Sequence, residues 1–354
     1  MRFGIGQPVT RKEDVRFLTG RARYVADIDL AHQAHAVFIF SSHAHARIRA
    51  IDKTAAEQMP GVFAVLTGNE WAGDGLGTLE PEVMAEDMGG PKGHRTQRPP
   101  LAIDHARYVG ERVAVVVAES EALARDAAEL VSVDYEVLPA VVRSEDALRP
   151  GAPPVHEGAA DNTSFTMRMG NADAIDAALA RAHHITRLSL YNNRITAVTM
   201  EPRGCIGEYD PGTRRYTLYS STQNVHGVRQ VLAHRILHVP ERQVRVVARD
   251  VGGGFGMKGE VYPEEAVLVW AARRTGRPVK WIPSRAEALL GDCQGRDQNV
   301  SAELALDADG KFLALRWTGL HNVGAYIEGA GCIPILLSLQ LAPNAYDIPA
   351  VAVT

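Results

Sequence analysis

Between Val244 and Gly259 the chain reads VRVVARDVGGGFGMKG, a β-branched run that leads into a cluster of glycines. The run of valines predicts a short strand. Glycine has no side chain and tolerates positive φ, so the cluster allows backbone amides to approach a ligand closely. Helical spacing follows from Pro263 to Ala272, with Gly276 just beyond it. We therefore expect a strand, a ligand-facing loop and a helix in that order.

Two other interpretations of the glycine cluster remain open. Gly254, Gly256 and Gly259 match the G-x-G-x-x-G pattern of dinucleotide-binding folds, which would indicate an NAD-dependent dehydrogenase. In such folds the helix begins inside the glycine motif, whereas here the chain continues to Pro263, and no ribose-binding acid stands near Lys280. The second interpretation is a purely structural glycine turn, which is the ordinary one for an isolated glycine run.

On either side of this segment the chain alternates strand and helix patterns, which predicts an α+β fold. The first part has β-branched runs at 36–40, 62–66, 112–117 and 131–137, with a helix after Ser120 and a long loop over 73–100. A Pro-rich tract around 149–154 indicates an extended linker. The second part opens with a helix from Asn171 and continues with strands at 185–190, 205–209 and 215–220 and a helix over 223–237. We predict one domain over 1–145, a linker over 146–165 and a second domain over 166–354.

The composition excludes several classes of protein. The net charge of the 354 residues is -4, so no broad positive field exists for a phosphate backbone, and we expect no nucleic-acid partner. Three widely spaced cysteines, Cys205, Cys293 and Cys332, form neither a disulfide framework nor a C-x-x-C site. The N-terminus has no apolar signal segment and no run is long enough for a membrane span, so we expect a cytoplasmic protein.

Some polar residues invite a catalytic or metal-binding interpretation that their surroundings do not favour. His43 and His45 lie two apart on a predicted strand, but a third metal ligand is not evident. Glu201 and Arg203 flank Pro202, which indicates a rigid turn where they bind backbone groups or each other.

Three charged residues follow the glycine cluster closely. Glu264 and Glu265 come directly after Pro263 and are expected to complement the positive end of a helix. Lys258 is either a cation near a bound anion or a solvated loop residue, and the sequence does not decide between them. Hydrolase, zinc-protease and Walker motifs are absent from the sequence.

Several segments together resemble one enzyme family. These are Met200-Glu201-Pro202-Arg203-Gly204, Ser221-Thr222-Gln223-Asn224, Gly252-Gly253-Gly254-Phe255-Gly256, Gly324-Ala325-Tyr326 and the opening that runs from Gly4 to Asp14. The motifs that begin at Met200, Ser221 and Gly252 follow one another with a spacing similar to that of the xanthine dehydrogenase and aldehyde oxidase family. Together the segments resemble the molybdopterin-binding large subunits of this family, of the carbon monoxide dehydrogenase type. The resemblance implies an α/β-hammerhead domain followed by the first, truncated part of a molybdopterin-binding domain.

The resemblance also implies a site. Gln223 would hydrogen-bond the oxo group of a molybdenum centre, and Gly254, Phe255 and Gly256 would lie against the cofactor with their amides facing it. It implies no direct metal ligand and no catalytic residue within the chain, since the family's base glutamate is expected beyond Thr354. Purine hydroxylases of the family have a glutamate where Gly259 stands, so purine specificity is not indicated.

The implied activity is oxidation of an aldehyde or N-heterocycle with water as the oxygen source. The implied cofactor is molybdenum-molybdopterin in its cytosine dinucleotide form. The implied partners are the C-terminal half of the molybdenum subunit, a [2Fe-2S] subunit and an FAD subunit, and the isolated chain is expected to be inactive. A non-catalytic remnant or scaffold of the same fold is the alternative. If the chain stands alone, we expect exposed apolar surface around Ile333, Ile335, Leu336, Leu337 and Leu339, where the absent half would pack.

Overall fold

The computed structural model of the chain describes residues 4–159 and 161–354. The first three residues of the predicted first domain and Ala160 of the predicted linker lie outside the described residues. The described strands are β1 (Ala34–Phe40), β2 (Ala46–Asp52), β3 (Val62–Thr67), β4 (His105–Ala106), β5 (Arg112–Ala118), β6 (Ser132–Val137), β7 (Met169–Gly170), β8 (His184–Asn192), β9 (Cys205–Asp210), β10 (Arg215–Ser220), β11 (Val244–Val247), β12 (Val279–Trp281), β13 (Gln298–Leu306), β14 (Phe312–His321) and β15 (Ala350–Val353).

The helices vary from single turns to the thirteen-residue α8. The described α-helices are α1 (Asp14–Leu18), α2 (Thr54–Glu57), α3 (Gly68–Gly73), α4 (Glu121–Glu129), α5 (Ser144–Ala147), α6 (Ala172–Arg181), α7 (Val225–Val231), α8 (Pro263–Thr275), α9 (Arg285–Gly291) and α10 (Ile333–Gln340). Helix α7 continues into a π-helical turn, Leu232–Ile236. The predicted α+β fold is confirmed. None of the described helices is long and apolar enough to cross a membrane.

The sheet that positions the candidate site has seven strands in the order β11-β10-β9-β12-β1-β5-β3 among the described residues. Strand β1 pairs antiparallel with β5 and parallel with β12, which comes much later in the chain. Strands from both sides of the predicted linker therefore share one sheet. The division at 146–165 stays a prediction, because a shared sheet neither requires nor excludes it.

Helix α8 packs on this sheet and fixes the segment that precedes it. Its residues from Pro263 to Ala272 are all buried. A Cβ at Gly207 of β9 would lie 2.3 Å from backbone atoms of Leu268, so glycine is needed there for the helix to lie close to the strand. Trp270 of the helix packs edge-on against Trp71, with 5.1 Å between ring centroids. The glycine cluster just before α8 is thus attached to a well-packed core.

A second sheet has the order β7-β15-β14-β13-β8. Helix α6 covers one of its faces, where Ile175 and Ala178 pack on Ala305 and Ala314. Residues paired directly across strands point to the same side of a sheet, which identifies the members of the opposite face. This face carries polar residues toward its ends, Thr186, Asn192, Gln298 and His321. Its apolar side chains are Leu188, Leu190, Val300, Ala302, Leu304, Leu315, Trp317, Val351, Val353 and Met169. They belong to none of the hydrophobic clusters found among residues 4–159 and 161–354.

Helix α10 corrects the expectation of apolar surface around residues 333–339. Leu336 and Leu339 are buried, and Leu336 packs with Met84, Ala85 and Ile327. Leu337 alone of the expected residues is an exposed large side chain. The expectation was wrong for Leu336 and Leu339, and Leu336 is buried because the predicted 73–100 loop folds back over the helix. That loop contains a 3-10 turn, Ala85–Met88, and an isolated bridge between Leu79 and Arg98.

Candidate functional site

The glycine cluster forms a loop with a left-handed backbone at its centre. It follows β11 as predicted, and φ is +95° at Gly253, +53° at Phe255 and +89° at Gly256. The left-handed region is strained for a residue with a side chain, so Phe255 is the unusual member of this set. This residue is 81% exposed. The loop therefore presents an aromatic side chain and a turned-out stretch of backbone to the solvent.

Gln223 reaches into this loop from the segment between β10 and α7. The side-chain Oε1 accepts a hydrogen bond from the Gly256 amide at 3.0 Å. The backbone amide of Gln223 donates to the Lys258 carbonyl at 2.9 Å. Asn224 caps α7 by accepting from the Gly227 amide at 3.0 Å, which fixes the start of the helix next to Gln223. A Cβ at Gly254 would lie 2.3 Å from Gln223 Oε1. The structure thus brings Gln223, Gly254, Phe255 and Gly256 together.

The loop leaves hydrogen-bond donors without protein partners. The amides of Gly253, Gly254 and Phe255 have no acceptor among the described residues, although Gly254 is buried. The side-chain amide nitrogen of Gln223 likewise has none there, while its oxygen is used by Gly256. A Cβ at Gly256 would meet nothing within 4 Å, so the loop faces open space at this residue. Buried donors are normally satisfied, so the unpartnered amide of the buried Gly254 fits a ligand that is rich in acceptor oxygen or sulfur atoms.

A buried ion pair supports the loop from behind. One carboxylate oxygen of Glu201 accepts from Ser221 Oγ at 2.6 Å, from the Gly252 amide at 2.7 Å and from Lys258 Nζ at 3.0 Å. Burial lowers the pKa of Lys258. Lys258 is therefore not a solvated loop cation. Of the two alternatives for Glu201, binding of a backbone group is confirmed by the Gly252 amide, whereas pairing with Arg203 is not observed. The spacing of the motifs indicated that these segments belong to one site, but the sequence could not show which of their side chains form contacts.

Arg203 instead joins a second buried cluster at the start of α8. It donates to Asp292 at 2.7 Å and to Glu264 at 3.2 and 3.3 Å, and Arg112 also binds Glu264. Burial alone would raise the pKa of Glu264, but the two guanidinium groups lower it to about 2. The prediction that Glu264 complements the helix end was therefore incomplete, because its partners are these arginines. Sequence reasoning missed this cluster, since Arg112 lies 152 positions away.

Glu265 and Glu260 have different environments from Glu264. The Glu265 carboxylate accepts from the Tyr262 amide at 3.0 Å and so caps α8, as expected of an acid in the first turn. Glu260 lies just before the helix, where its carboxylate accepts from the Ala330 amide at 3.2 Å. Burial and the nearby Glu328 raise the pKa of Glu260 to about 7. This carboxyl therefore titrates near neutral pH.

A metal site at His43 and His45 and a dinucleotide-binding loop each require a geometry that the described residues do not show. Within the described residues no group of three or more His, Cys, Asp or Glu could hold a metal ion. His43 packs edge-on against Tyr135, and His45 bonds the Pro139 carbonyl at 2.8 Å. The G-x-G-x-x-G match ends in a 3-10 turn, Met257–Gly259, and α8 begins only at Pro263. A dinucleotide fold needs the helix N-terminus inside the motif, so this loop lacks its phosphate site.

Two family models match the chain. The model described as "Molybdopterin cofactor-binding domain" matches residues 155–354, which include the glycine loop and Gln223. The model described as "Aldehyde oxidase and xanthine dehydrogenase, a/b hammerhead domain" matches residues 19–139. The chain belongs to the molybdopterin-binding large-subunit family. The resemblance that the motifs indicated is confirmed, and so is the order of a hammerhead domain followed by a molybdopterin-binding domain.

Relatives within this family carry names of oxidoreductases. The chain is 38% identical to the 6-hydroxypseudooxynicotine dehydrogenase complex subunit gamma of Paenarthrobacter nicotinovorans, over 98% of this chain and 43% of the relative. It is 37% identical to the nicotine 6-hydroxylase large subunit of the same organism, over 98% and 42%. It is 35% identical to the carbon monoxide dehydrogenase large chain of Hydrogenophaga pseudoflava, over 96% and 42%. The chain is therefore related to the large subunits of oxidoreductase complexes.

Solved structures of the family agree with the fold. Quinoline 2-oxidoreductase from Pseudomonas putida 86 superposes with a TM-score of 0.89 at 35% identity, over 99% of this chain and 44% of that chain. Carbon monoxide dehydrogenase from Oligotropha carboxidovorans gives 0.85 at 30% identity, over 99% and 44%. The chain thus spans less than half the length of the relatives and structures it matches.

Proposed function

We propose that this chain is the part of a molybdenum hydroxylase that holds one side of a molybdenum-molybdopterin cofactor, in an enzyme that oxidises an N-heterocycle or an aldehyde with water as oxygen source. One observation carries the proposal. The amides of Gly253, Gly254 and Phe255 and the side-chain nitrogen of Gln223, whose oxygen binds the same loop, have no acceptor among the described residues. The family match makes the molybdopterin cofactor the natural acceptor.

Each of these residues has a distinct task in the proposal. Gln223 Oε1 is occupied by the Gly256 amide at 3.0 Å, so the Nε2 group is the one that donates to the cofactor. The loop amides donate without carrying a mobile charge, which suits a site where charge changes during reaction. When bound, the cofactor supplies the oxygen-transfer and electron-accepting chemistry, and the protein supplies binding and orientation.

The names of the relatives favour an N-heterocyclic substrate. Nicotine 6-hydroxylase and quinoline 2-oxidoreductase are named for N-heterocycles, and Phe255 offers an exposed aromatic surface beside the proposed cofactor site. Gly259 provides no carboxylate, so a purine that needs a glutamate at this position is not favoured. Oxidation of an aldehyde is the second possibility within the same chemistry.

Other components complete the proposed enzyme. The chain covers 42–44% of its relatives' length, so we propose that a C-terminal half supplies the base glutamate and the remaining cofactor contacts. Electrons would pass to a [2Fe-2S] subunit and an FAD subunit, and the cofactor would be the cytosine dinucleotide form. All three cysteines are unpaired in the described residues, which fits a cytoplasmic complex. A non-catalytic remnant that keeps the fold but binds no cofactor is the competing function.

The test is the molybdenum and pterin content of the chain produced alone and together with its neighbouring reading frames. We expect both in the co-produced complex. Gly254→Ala should lower both by about tenfold or more, because the added Cβ displaces Gln223 and leaves the Gly256 amide unpaired. Gly73→Ala, at a position where a Cβ meets nothing within 4 Å, is the matched control. If no molybdenum and no pterin are found in the wild-type complex, the remnant function is correct instead.

A further inference from the structure

We propose that Glu201 is a positioning residue that closes the glycine loop and holds Phe255 in its left-handed conformation before any ligand binds. The claim concerns the loop itself, and only its consequence for cofactor retention rests on the proposed function. The contacts of Glu201 with both ends of the loop carry the inference.

Both ends of the loop converge on one residue. At the first end, Glu201 binds Gly252 twice, since its carboxylate accepts from the Gly252 amide at 2.7 Å and its own amide donates to the Gly252 carbonyl at 3.2 Å. At the second end, Lys258 Nζ donates to the Glu201 carboxylate at 3.0 Å and to the Glu201 carbonyl at 2.9 Å. Residues 252–258 are thus closed into a ring by a residue about fifty positions earlier.

The contacts that close the loop are closely packed and shielded from solvent. A Cβ at Gly252 would lie 2.4 Å from the Glu201 Cβ, so the loop can approach only because this position is glycine. The Lys258 side chain is 0% exposed. Its ammonium has three acceptors, because Ser221 Oγ accepts from it at 2.6 Å in addition to the two Glu201 oxygens. Three acceptors satisfy all three ammonium donors, so Lys258 acts as a structural cation and not as a nucleophile.

The loop needs such a closure because its centre is strained. Phe255 has φ +53°, which costs a residue with a side chain free energy that glycine does not lose. Its ring is largely exposed, so packing of the ring does not hold this conformation. Strained residues persist only where their surroundings determine the conformation. The surroundings here are the two ends fixed by Glu201 and the Gly256 amide bound by Gln223.

A fixed loop matters for binding, since ordering it in advance removes an entropic cost from the binding step. With both ends fixed, the backbone that carries the unpartnered amides of Gly253, Gly254 and Phe255 is already ordered. Ser221 and Gln223 lie two positions apart, so the same segment contacts both Glu201 and the tip of the loop. Glu201 therefore acts on the ligand through the loop, without touching the ligand.

Hydrogen exchange of the cofactor-free chain tests the proposal. In Glu201→Gln, the hydrogen-bonded amides of Gly252, Gly256 and Met257 should exchange about tenfold faster or more, because a neutral carboxamide is a weaker acceptor than the carboxylate at both ends of the loop. Peptides from α8 should keep their rate. The matched control is Glu241→Gln, which breaks a surface contact with Arg229 and His234 and should leave the loop rate unchanged. An unchanged loop rate in Glu201→Gln would overturn the proposal.

A double variant separates loop positioning from general stability. Glu201→Gln leaves the buried Lys258 ammonium without its anion, so the single variant should also melt at a lower temperature. Combining it with Lys258→Met removes the unpaired charge and should restore most of the melting temperature, while the loop still exchanges fast. If the double variant recovers slow exchange, Glu201 acts only through charge balance and the proposal fails.

The outcome is independent of the proposed function. Slow exchange in the wild-type loop and fast exchange in the variants would establish the positioning role even if the complex contains no molybdenum. Conversely, molybdenum in the complex with no effect of Glu201→Gln on the loop would leave the proposed function standing and remove this inference.

Discussion

At the scale of single residues, the Glu264 carboxylate is the most dependent on its partners. It is fully buried between Arg112 and Arg203, which hold its pKa at about 2 against the effect of burial. Glu264→Gln leaves two buried guanidinium groups undercompensated and should lower the free energy of unfolding by about 3–5 kcal/mol. Urea unfolding near neutral pH measures this. Glu121→Gln, which breaks an exposed pair with Arg125, should cost less than about 1 kcal/mol; equal effects would contradict the assignment.

Glu260 predicts an unusual pH dependence. Its pKa in the folded chain is raised to about 7 from 4.5, first by burial and then by Glu328. The folded state therefore holds a proton that the unfolded state releases, so this contribution is fully present below pH 4.5 and is lost as the pH rises through 7. Compared with Glu260→Gln, the wild type should lose stability across this range in unfolding titrations. Glu129→Gln, at an exposed position, should follow the wild type; a flat difference for Glu260→Gln would be evidence against the buried carboxyl.

The residues of the site differ in how far the sequence could predict them. Gln223 and the glycines were named because their motifs resemble those of a known enzyme family, and the structure brings them together. The partners of Glu201, Lys258 and Glu264 were not found, because ion pairs between positions 50 to 150 apart leave no local pattern. Local sequence predicts which backbone turns, whereas long-range side-chain pairing depends on the fold.

At the scale of elements, the strands and helices of the buried core were predicted well. The runs at 36–40, 62–66 and 112–117 became β1, β3 and β5, and Ser120 caps α4 by accepting from the Leu123 amide at 3.2 Å. Strands β13 and β14 were not predicted, although β13 alternates polar and apolar residues from Asn299 to Leu304, as a half-buried strand does. The two strands pair with each other along almost their whole length.

Helix α10 gives a prediction at this scale. Leu336 is buried against the folded-back loop, whereas Leu337 on the same helix is exposed. Leu336→Ala should lower the free energy of unfolding by about 2–5 kcal/mol through loss of buried contacts and the cavity left behind. Leu337→Ala, the matched control, should change it by no more than about 0.5 kcal/mol. Chemical unfolding of both variants measures these free energies. Equal losses of stability would mean that the helix does not pack through Leu336.

At the scale of the whole molecule, one face of the five-stranded sheet is largely apolar and carries two exposed leucines. Leu188 and Leu190 are its most exposed side chains, at 53% and 52%. The isolated chain should therefore bind an apolar fluorescent dye, and Leu188→Ser with Leu190→Ser should reduce the signal by about half. Leu130→Ser with Leu148→Ser changes two exposed leucines that lie outside this face and should leave the signal unchanged. No loss of signal in the first variant would place the dye elsewhere.

The seven-stranded sheet has a consequence for the way the chain is made. Strand β1 pairs in parallel with β12, which lies much later in the chain. The hydrogen bonds between these two strands therefore join residues that are synthesised at very different times. Ribosomes add about 5–20 residues per second, so about 12–50 s separate the synthesis of Ala34 from that of its partner Val279. During this interval the nascent polypeptide carries an unfinished sheet edge, which is a site for wrong pairing. The yield of native protein should accordingly rise with chaperones that shield such edges during translation.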